Sequence, residues 1–187
     1  MTESAATQQR PPRLERRVLD LGCGQGLLAS LLIAVDSGCR VHGIELMPRD
    51  AQRATTALGD AARIVCGDIC HEDFGEADTA VILDVLHYID YGEQDRVLQR
   101  LRTALRPDGQ LLLRVGDADA GLPFRLSNWV DHVVTFVRGH RLARLYCRPL
   151  GQWRTALEEL GFQVEVVPLS HGTPFANVML KARLQAA

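Results

Sequence analysis

Residues 17–27 read RVLDLGCGQGL, an apolar run that closes on Gly22, Gly24 and Gly26, with Asp20 ahead of the glycines and Leu27 behind them. The apolar residues before the turn predict a strand, and Leu27, Leu28, Leu31 and Leu32 after it recur at helical spacing. A glycine-rich turn between a first strand and a first helix is where an α/β sheet receives a nucleotide-like ligand. The dinucleotide fingerprint is G-x-G-x-x-G, and here its third place holds Leu27 while an extra glycine falls at 26. That spacing disfavours the close helix approach a pyrophosphate needs. It suits a turn against which a small zwitterion lies.

Outward from this turn, strand-like runs follow at residues 40–46 (RVHGIEL), 62–68 (ARIVCGD), 79–86 (TAVILDVL) and 109–116 (GQLLLRVG). Segments of helical spacing separate them, such as Val97, Leu98, Leu101 and Leu105. Continuously apolar strands alternating with helices belong to a parallel sheet covered on both faces. The turn RPDG at 106–109 stops one helix and feeds the next strand, and Gly161 repeats that device before the run FQVEVVPL. Residues 175–184 (FANVMLKARL) supply a last strand of alternating character. The expected fold is therefore α/β: one doubly wound, mostly parallel Rossmann-like sheet with helices on both faces and an antiparallel last strand. Residues 1–13 are polar and small with an RPPR run at 10–13, and are expected to form a flexible tail before a domain at 14–187.

Composition narrows the class. The 187 residues allow one sizeable core, and 47% hydrophobic with 24% charged residues is ordinary for a globular chain. A formal net charge of -2 offers no global field for a nucleic-acid backbone or an anionic membrane, so neither is an expected partner. No apolar run approaches the ~20 residues of a membrane-spanning helix. The five cysteines form no C-x-x-C pair, and the start lacks the pattern of a secretion signal, which gives a cytoplasmic expectation. Cys66, Cys70 and His71 lack a fourth ligand at zinc spacing, so no metal is expected.

With Asp20 and the G-x-G-x-G turn in place, the chain resembles the class I S-adenosylmethionine-dependent methyltransferases of small-molecule type, and the resemblance covers roughly residues 17–160. It implies S-adenosylmethionine as cofactor, with Asp20, Gly22, Gly24 and Gly26 around its amino-acid end. Glu45, nineteen residues after Gly26, then falls where an acid accepts bonds from both ribose hydroxyls, with Leu46 beside it. Asp68 would accept from the adenine amino group next to an apolar Ile69. Asp84 and Val85 would face the methionine part, and His87 and Tyr88 the acceptor. The sulfonium methyl is already reactive, so the protein need only align a nucleophile and, for a hydroxyl, remove its proton; His87 is the candidate base. Two specialised chemistries of the family are excluded. Nucleobase amino methylation uses [DN]-P-P-aromatic where this chain has DVLH, and a two-lysine ribose methylation is incompatible with Lys181 as sole lysine.

The acceptor region is expected at residues 117–149, long for a strand-to-helix connection and rich in aromatic and arginine residues. We read this segment as a lid insertion. Within it, Trp129, His132, Phe136, Arg141 and Arg144 are candidate substrate residues, the arginines suiting an acidic small molecule or one linked to an acyl carrier protein. Two other functions compete: a methyltransferase-like fold that binds cofactor or a partner without turnover, and an NAD-linked oxidoreductase, which Leu27 disfavours.

Overall fold

The computed structural model of the chain describes residues 15–116, 145–169 and 177–185. In chain order it contains β1 (Arg16–Leu21), α1 (Leu27–Val35), β2 (Cys39–Glu45), α2 (Pro48–Leu58), β3 (Ala62–Cys66), β4 (Ala77–Leu83), α3 (Tyr91–Ala104), β5 (Leu105–Gly116), α4 (Leu150–Glu159), β6 (Phe162–Pro168) and β7 (Asn177–Leu184). The strands form a seven-stranded sheet in the order β3-β2-β1-β4-β5-β7-β6. Strands β1 to β5 pair in parallel, whereas β7 is antiparallel to both β5 and β6. The strand order reverses between β1 and β4, and a crevice outside the carboxyl ends of those strands is where such a sheet binds ligands.

The two faces carry separate cores. Leu19, Leu21, Ile82, Leu111 and Leu113 meet Leu98 and Leu101 of α3 and Trp153 and Leu157 of α4. On the other face Val18, Val41 and Val81 pack with Ala29 of α1, backed by Leu28, Leu32 and Leu58. Alternation along β1 thus splits its side chains between two layers, as a doubly wound sheet requires. Two details differ from the sequence reading. Helix α1 buries Ala29 and leaves Leu27 and Leu31 exposed, because only its Leu28 and Leu32 side faces the sheet. The 106–109 turn interrupts β5 instead of preceding it: Leu105 already pairs with Ala77, and the ladder resumes at Gln110 opposite Thr79. Asp108 takes a φ of 62° to make that excursion, and Arg106 ties the turn to Glu76 and Asp78.

Among the described residues, no helix is long and apolar enough to cross a membrane.

Candidate cofactor site at the carboxyl ends of the strands

The parallel register brings the ends of β1, β2, β3 and β4 to one edge: Leu21 lies beside both Ile44 and Ile82, and Glu45 beside Cys66. The three glycines of the first turn all have positive φ, at 78°, 55° and 80° for Gly22, Gly24 and Gly26. What surrounds them differs. A Cβ on Gly22 would meet Val85 Cγ2 at 2.3 Å, and one on Gly26 would meet Leu58 Cδ1 at 2.8 Å, so both allow close packing within the chain. A Cβ on Gly24 would meet nothing within 4 Å. Of the three, Gly24 is the glycine that borders open space. Just beyond it, the first turn of α1 has no side-chain cap, leaving helical N–H groups for an anion.

Two carboxylates lie under this turn. Glu45 is buried, and its Oε2 accepts from Gly24 N at 2.8 Å while Oε1 accepts from Met47 N at 2.8 Å. Each oxygen keeps a further lone pair, so the group is held in place and still able to accept two hydroxyls. Asp20 is 3% exposed, and its Oδ2 is buried with no hydrogen-bond partner. Burial, and secondarily the charge of Glu45, raise its pKa to about 6. A buried carboxylate oxygen with no partner is what a cationic ammonium group would satisfy. The same surroundings push the Cys23 thiol up to about 12, so this cysteine of the glycine turn is unreactive.

The turns after β3 and β4 are built by carbonyl caps from α3. Asp68 Oδ1 accepts from Cys70 N at 2.9 Å, and its carbonyl accepts from His71 N and Glu72 N. Arg100 donates to the carbonyls of Ile69 (2.9 Å), Cys70 (2.8 Å) and Glu72, with its guanidinium 4.2 Å from the Phe74 ring centroid. Burial and hydrogen bonding to Asp68 raise the Cys70 thiol to about 12. In the turn after β4, Asp84 is a non-glycine residue with φ 58°, ion-paired to Arg114. Strain of that kind collects at ligand sites. His87 follows in a short 3-10 turn (Leu86–Tyr88), its ring centroid 4.2 Å from that of Tyr88. Fully buried Gln94 donates to the carbonyls of Leu86 (3.0 Å), Ile89 (3.1 Å) and Tyr146 (2.8 Å), and His87 O accepts from Tyr146 N at 2.8 Å. Arg148 completes this seam, bonded to Tyr91 O and paired with Asp95.

The structure therefore assembles Asp20, Gly24, Glu45, Leu46, Asp68, Asp84 and His87 along one edge. Among the described residues there, Leu46, Leu27 and Tyr88 are exposed, by 61%, 72% and 43%. Ile69, by contrast, points into the core at 6% exposure, and Val85 packs on Gly22. Trp129, His132, Phe136, Arg141 and Arg144 lie outside the described residues, as do the 1–13 tail and the lid segment up to residue 144. Reading the sequence missed Gln94 and Arg100. Gln94 carried a signal: it is the one polar member of the helical stripe Gln94, Val97, Leu98, Leu101. A groove between α3 and α4, lined by Asp95, Gln99, Arg148 and Gln152, lies on the flank of the sheet, away from these groups.

A Rossmann-like sheet with a glycine turn at its first strand and an acid at the end of its second defines a nucleoside-cofactor-binding α/β protein. Residues 4–167 match a family model described as a methyltransferase domain. The chain belongs to that family, the class I S-adenosylmethionine-dependent methyltransferases. Carboxy-S-adenosyl-L-methionine synthase of Chromohalobacter salexigens is 30% identical over 161 residues, which is 81% of this chain and 57% of that protein. Mitomycin biosynthesis 6-O-methyltransferase of Streptomyces lavendulae is 32% identical over 99 residues, 51% of this chain and 28% of its own. The solved structure of the mitomycin 7-O-methyltransferase superposes with a TM-score of 0.73 at 26% identity, covering 91% of this chain and 49% of that one. The chain thus spans about half, or less, of the length of these relatives.

Proposed function

We propose that this chain transfers the methyl group of S-adenosylmethionine to an oxygen of a small-molecule acceptor. The observation that carries the reading is the pairing of Gly24, bordered by open space, with Glu45, whose two oxygens are fixed by backbone N–H groups and keep lone pairs for a ribose. Asp20 adds a buried acceptor for an ammonium group, and exposed Leu46 an apolar surface for a purine ring. When bound, the cofactor supplies a methyl on a positively charged sulfur. The chain's residues hold its ends at the edge between β1 and β4, and His87, in the turn after β4, is the candidate to take the acceptor's proton as the oxygen–methyl bond forms and the sulfur–methyl bond breaks. Oxygen as the accepting atom draws on the similarity to the two mitomycin O-methyltransferases. A small free molecule as acceptor draws on the same similarity.

The similarity to carboxy-S-adenosyl-L-methionine synthase favours one second reading, in which the cofactor itself is the molecule modified. Mass spectrometry of S-adenosylmethionine incubated with the protein and a panel of phenols and hydroxy acids distinguishes them. Methyl transfer yields S-adenosylhomocysteine and a methylated acceptor in equal amounts. A cofactor of increased mass with no methylated acceptor would establish the second reading, and binding with neither product would leave a non-catalytic domain.

A further inference from the structure

We infer that Arg100, which caps the Asp68 turn from α3, sets the selectivity of the site for an adenine base over a deaminated one. This inference rests on the reading of Asp68 as the residue facing the base. Asp68 accepts at Oδ1 from Cys70 N, takes a hydrogen bond from the Cys70 thiol as well, and accepts at its carbonyl from His71 N and Glu72 N, which winds residues 68–72 into one tight turn whose carboxylate is held from one side and keeps lone-pair capacity on the other. Such a turn aims the carbonyls of Ile69, Cys70 and Glu72 at the same point, where their dipoles repel one another. The guanidinium of Arg100 occupies that point and donates to all three. Its planar fork matches several fixed acceptors at once, which an ammonium cannot do. Phe74 supports it from one face at 4.2 Å, so the cation is held by ring and carbonyls together.

Base selectivity follows from this arrangement. An adenine presents an amino donor to the remaining oxygen of Asp68, whereas the deaminated base presents a carbonyl oxygen at the same place, which a carboxylate repels. That discrimination exists only while the carboxylate is held in one orientation, and the orientation is a property of the turn. Arg100 touches neither base nor methyl group; it is a positioning residue. Because it rises from α3, a rigid 14-residue helix, it transmits the helix position directly to the turn. Gln94 ties the turn after β4 to the same helix through a separate set of carbonyls, so the two turns are anchored independently.

The test is a binding comparison on the full chain, with calorimetric affinities for S-adenosylhomocysteine and for its deaminated analogue, S-inosylhomocysteine. The wild-type chain is expected to prefer the adenine form by at least about tenfold, the scale of one charge-assisted bond. In Arg100→Met that preference should fall to within about threefold of unity, and Arg100→Lys should lie between the two. A general loosening of the fold weakens both ligands alike and leaves their ratio unchanged, so the ratio isolates the positioning role. A wild-type ratio preserved in both variants would overturn the inference while leaving the cofactor reading intact. Absence of S-adenosylhomocysteine binding by the wild-type chain would overturn both. Should Arg100→Met fail to fold, as judged by its circular dichroism, the lysine variant alone carries the comparison.

Discussion

Replacing Asp20 by asparagine removes the charge that the fold holds at greatest cost in the site. The carboxyl is buried and its pKa lies at about 6 against 3.8 for the free side chain, from desolvation first and the charge of Glu45 second. A difference of about two units, at 1.36 kcal/mol each, is on the order of 2 to 3 kcal/mol. The sign follows from linkage. The folded state binds this proton more tightly than the unfolded state, so below pH ~4 both states carry it and the group is neutral in its effect. Between pH ~4 and ~6 the unfolded chain releases the proton first, and stability falls as pH rises; above ~6 the full penalty is present. Urea denaturation of Asp20→Asn and wild type at pH 4, 5.5 and 7.5 should therefore show little difference at pH 4 and a variant more stable by on the order of 2 kcal/mol at pH 7.5. The gain in stability should accompany a loss of function, with S-adenosylhomocysteine affinity lower by about tenfold as an ammonium counter-charge disappears. In the wild type that affinity should rise with pH through about 6, as the ligand meets an ionised Asp20. A stability difference that is the same at all three pH values, or a variant less stable at pH 7.5, would refute the account of Asp20 as an unsatisfied acid kept for a ligand.

Gly22→Ala should destabilise the fold by roughly 2 to 4 kcal/mol, the sum of a left-handed backbone and a clash with Val85, and Val85→Ala in the same chain should recover the clash part in a thermal melt. Gly24→Ala should cost only about 1 to 2 kcal/mol of stability and act mainly on S-adenosylhomocysteine affinity, since its Cβ enters open space. For Glu45→Ala we expect calorimetry to show a loss of about 1.5 to 3 kcal/mol in that affinity, with a loosened glycine turn, because Gly24 N and Met47 N lose their acceptor. Once an acceptor is identified, His87→Ala should lower kcat by about 10² to 10⁴ with cofactor affinity unchanged; full activity in that variant would assign His87 a structural role.

Much of the architecture was legible because strand order and layer structure follow from local patterns. Val18, Leu19 and Leu21 read as a strand buried on both faces, and they divide between the two cores. The acids at the strand ends were found from the spacing of Glu45 and Asp68 after their apolar runs. The reason for each glycine was not legible. Gly22 and Gly26 answer to Val85 and Leu58, residues 63 and 32 positions away along the chain, and only packing reveals such partners. Ile69 shows a related limit: the sequence places it beside Asp68 but cannot say which side of the turn its side chain takes, and the structure buries that side chain in the core.

Taken together, these contacts divide the edge into two mechanical units. Gly24 and Glu45 are locked to each other through one backbone N–H, so the part that meets the ribose and amino-acid end moves with β1 and β2. The turns after β3 and β4 are fastened instead to α3, by Arg100 and Gln94. Since α3 packs on the sheet through Val97, Leu98 and Leu101, which are all but fully buried, the spacing between the two turns is fixed by one helix rather than by two loops. Gln94→Leu should then leave S-adenosylhomocysteine affinity within about threefold of wild type, although the carbonyls of Leu86, Ile89 and Tyr146 lose the Gln94 amide at a stability cost on the order of 2 kcal/mol. Its damage should fall on the His87 turn and on the Tyr146 backbone bonded to it, and hence on turnover. If Gln94→Leu instead abolished cofactor binding while remaining folded, the turn after β4 would be inseparable from the parts that hold the cofactor, and the separation of binding from acceptor alignment argued from the separate caps of Arg100 and Gln94 would be wrong.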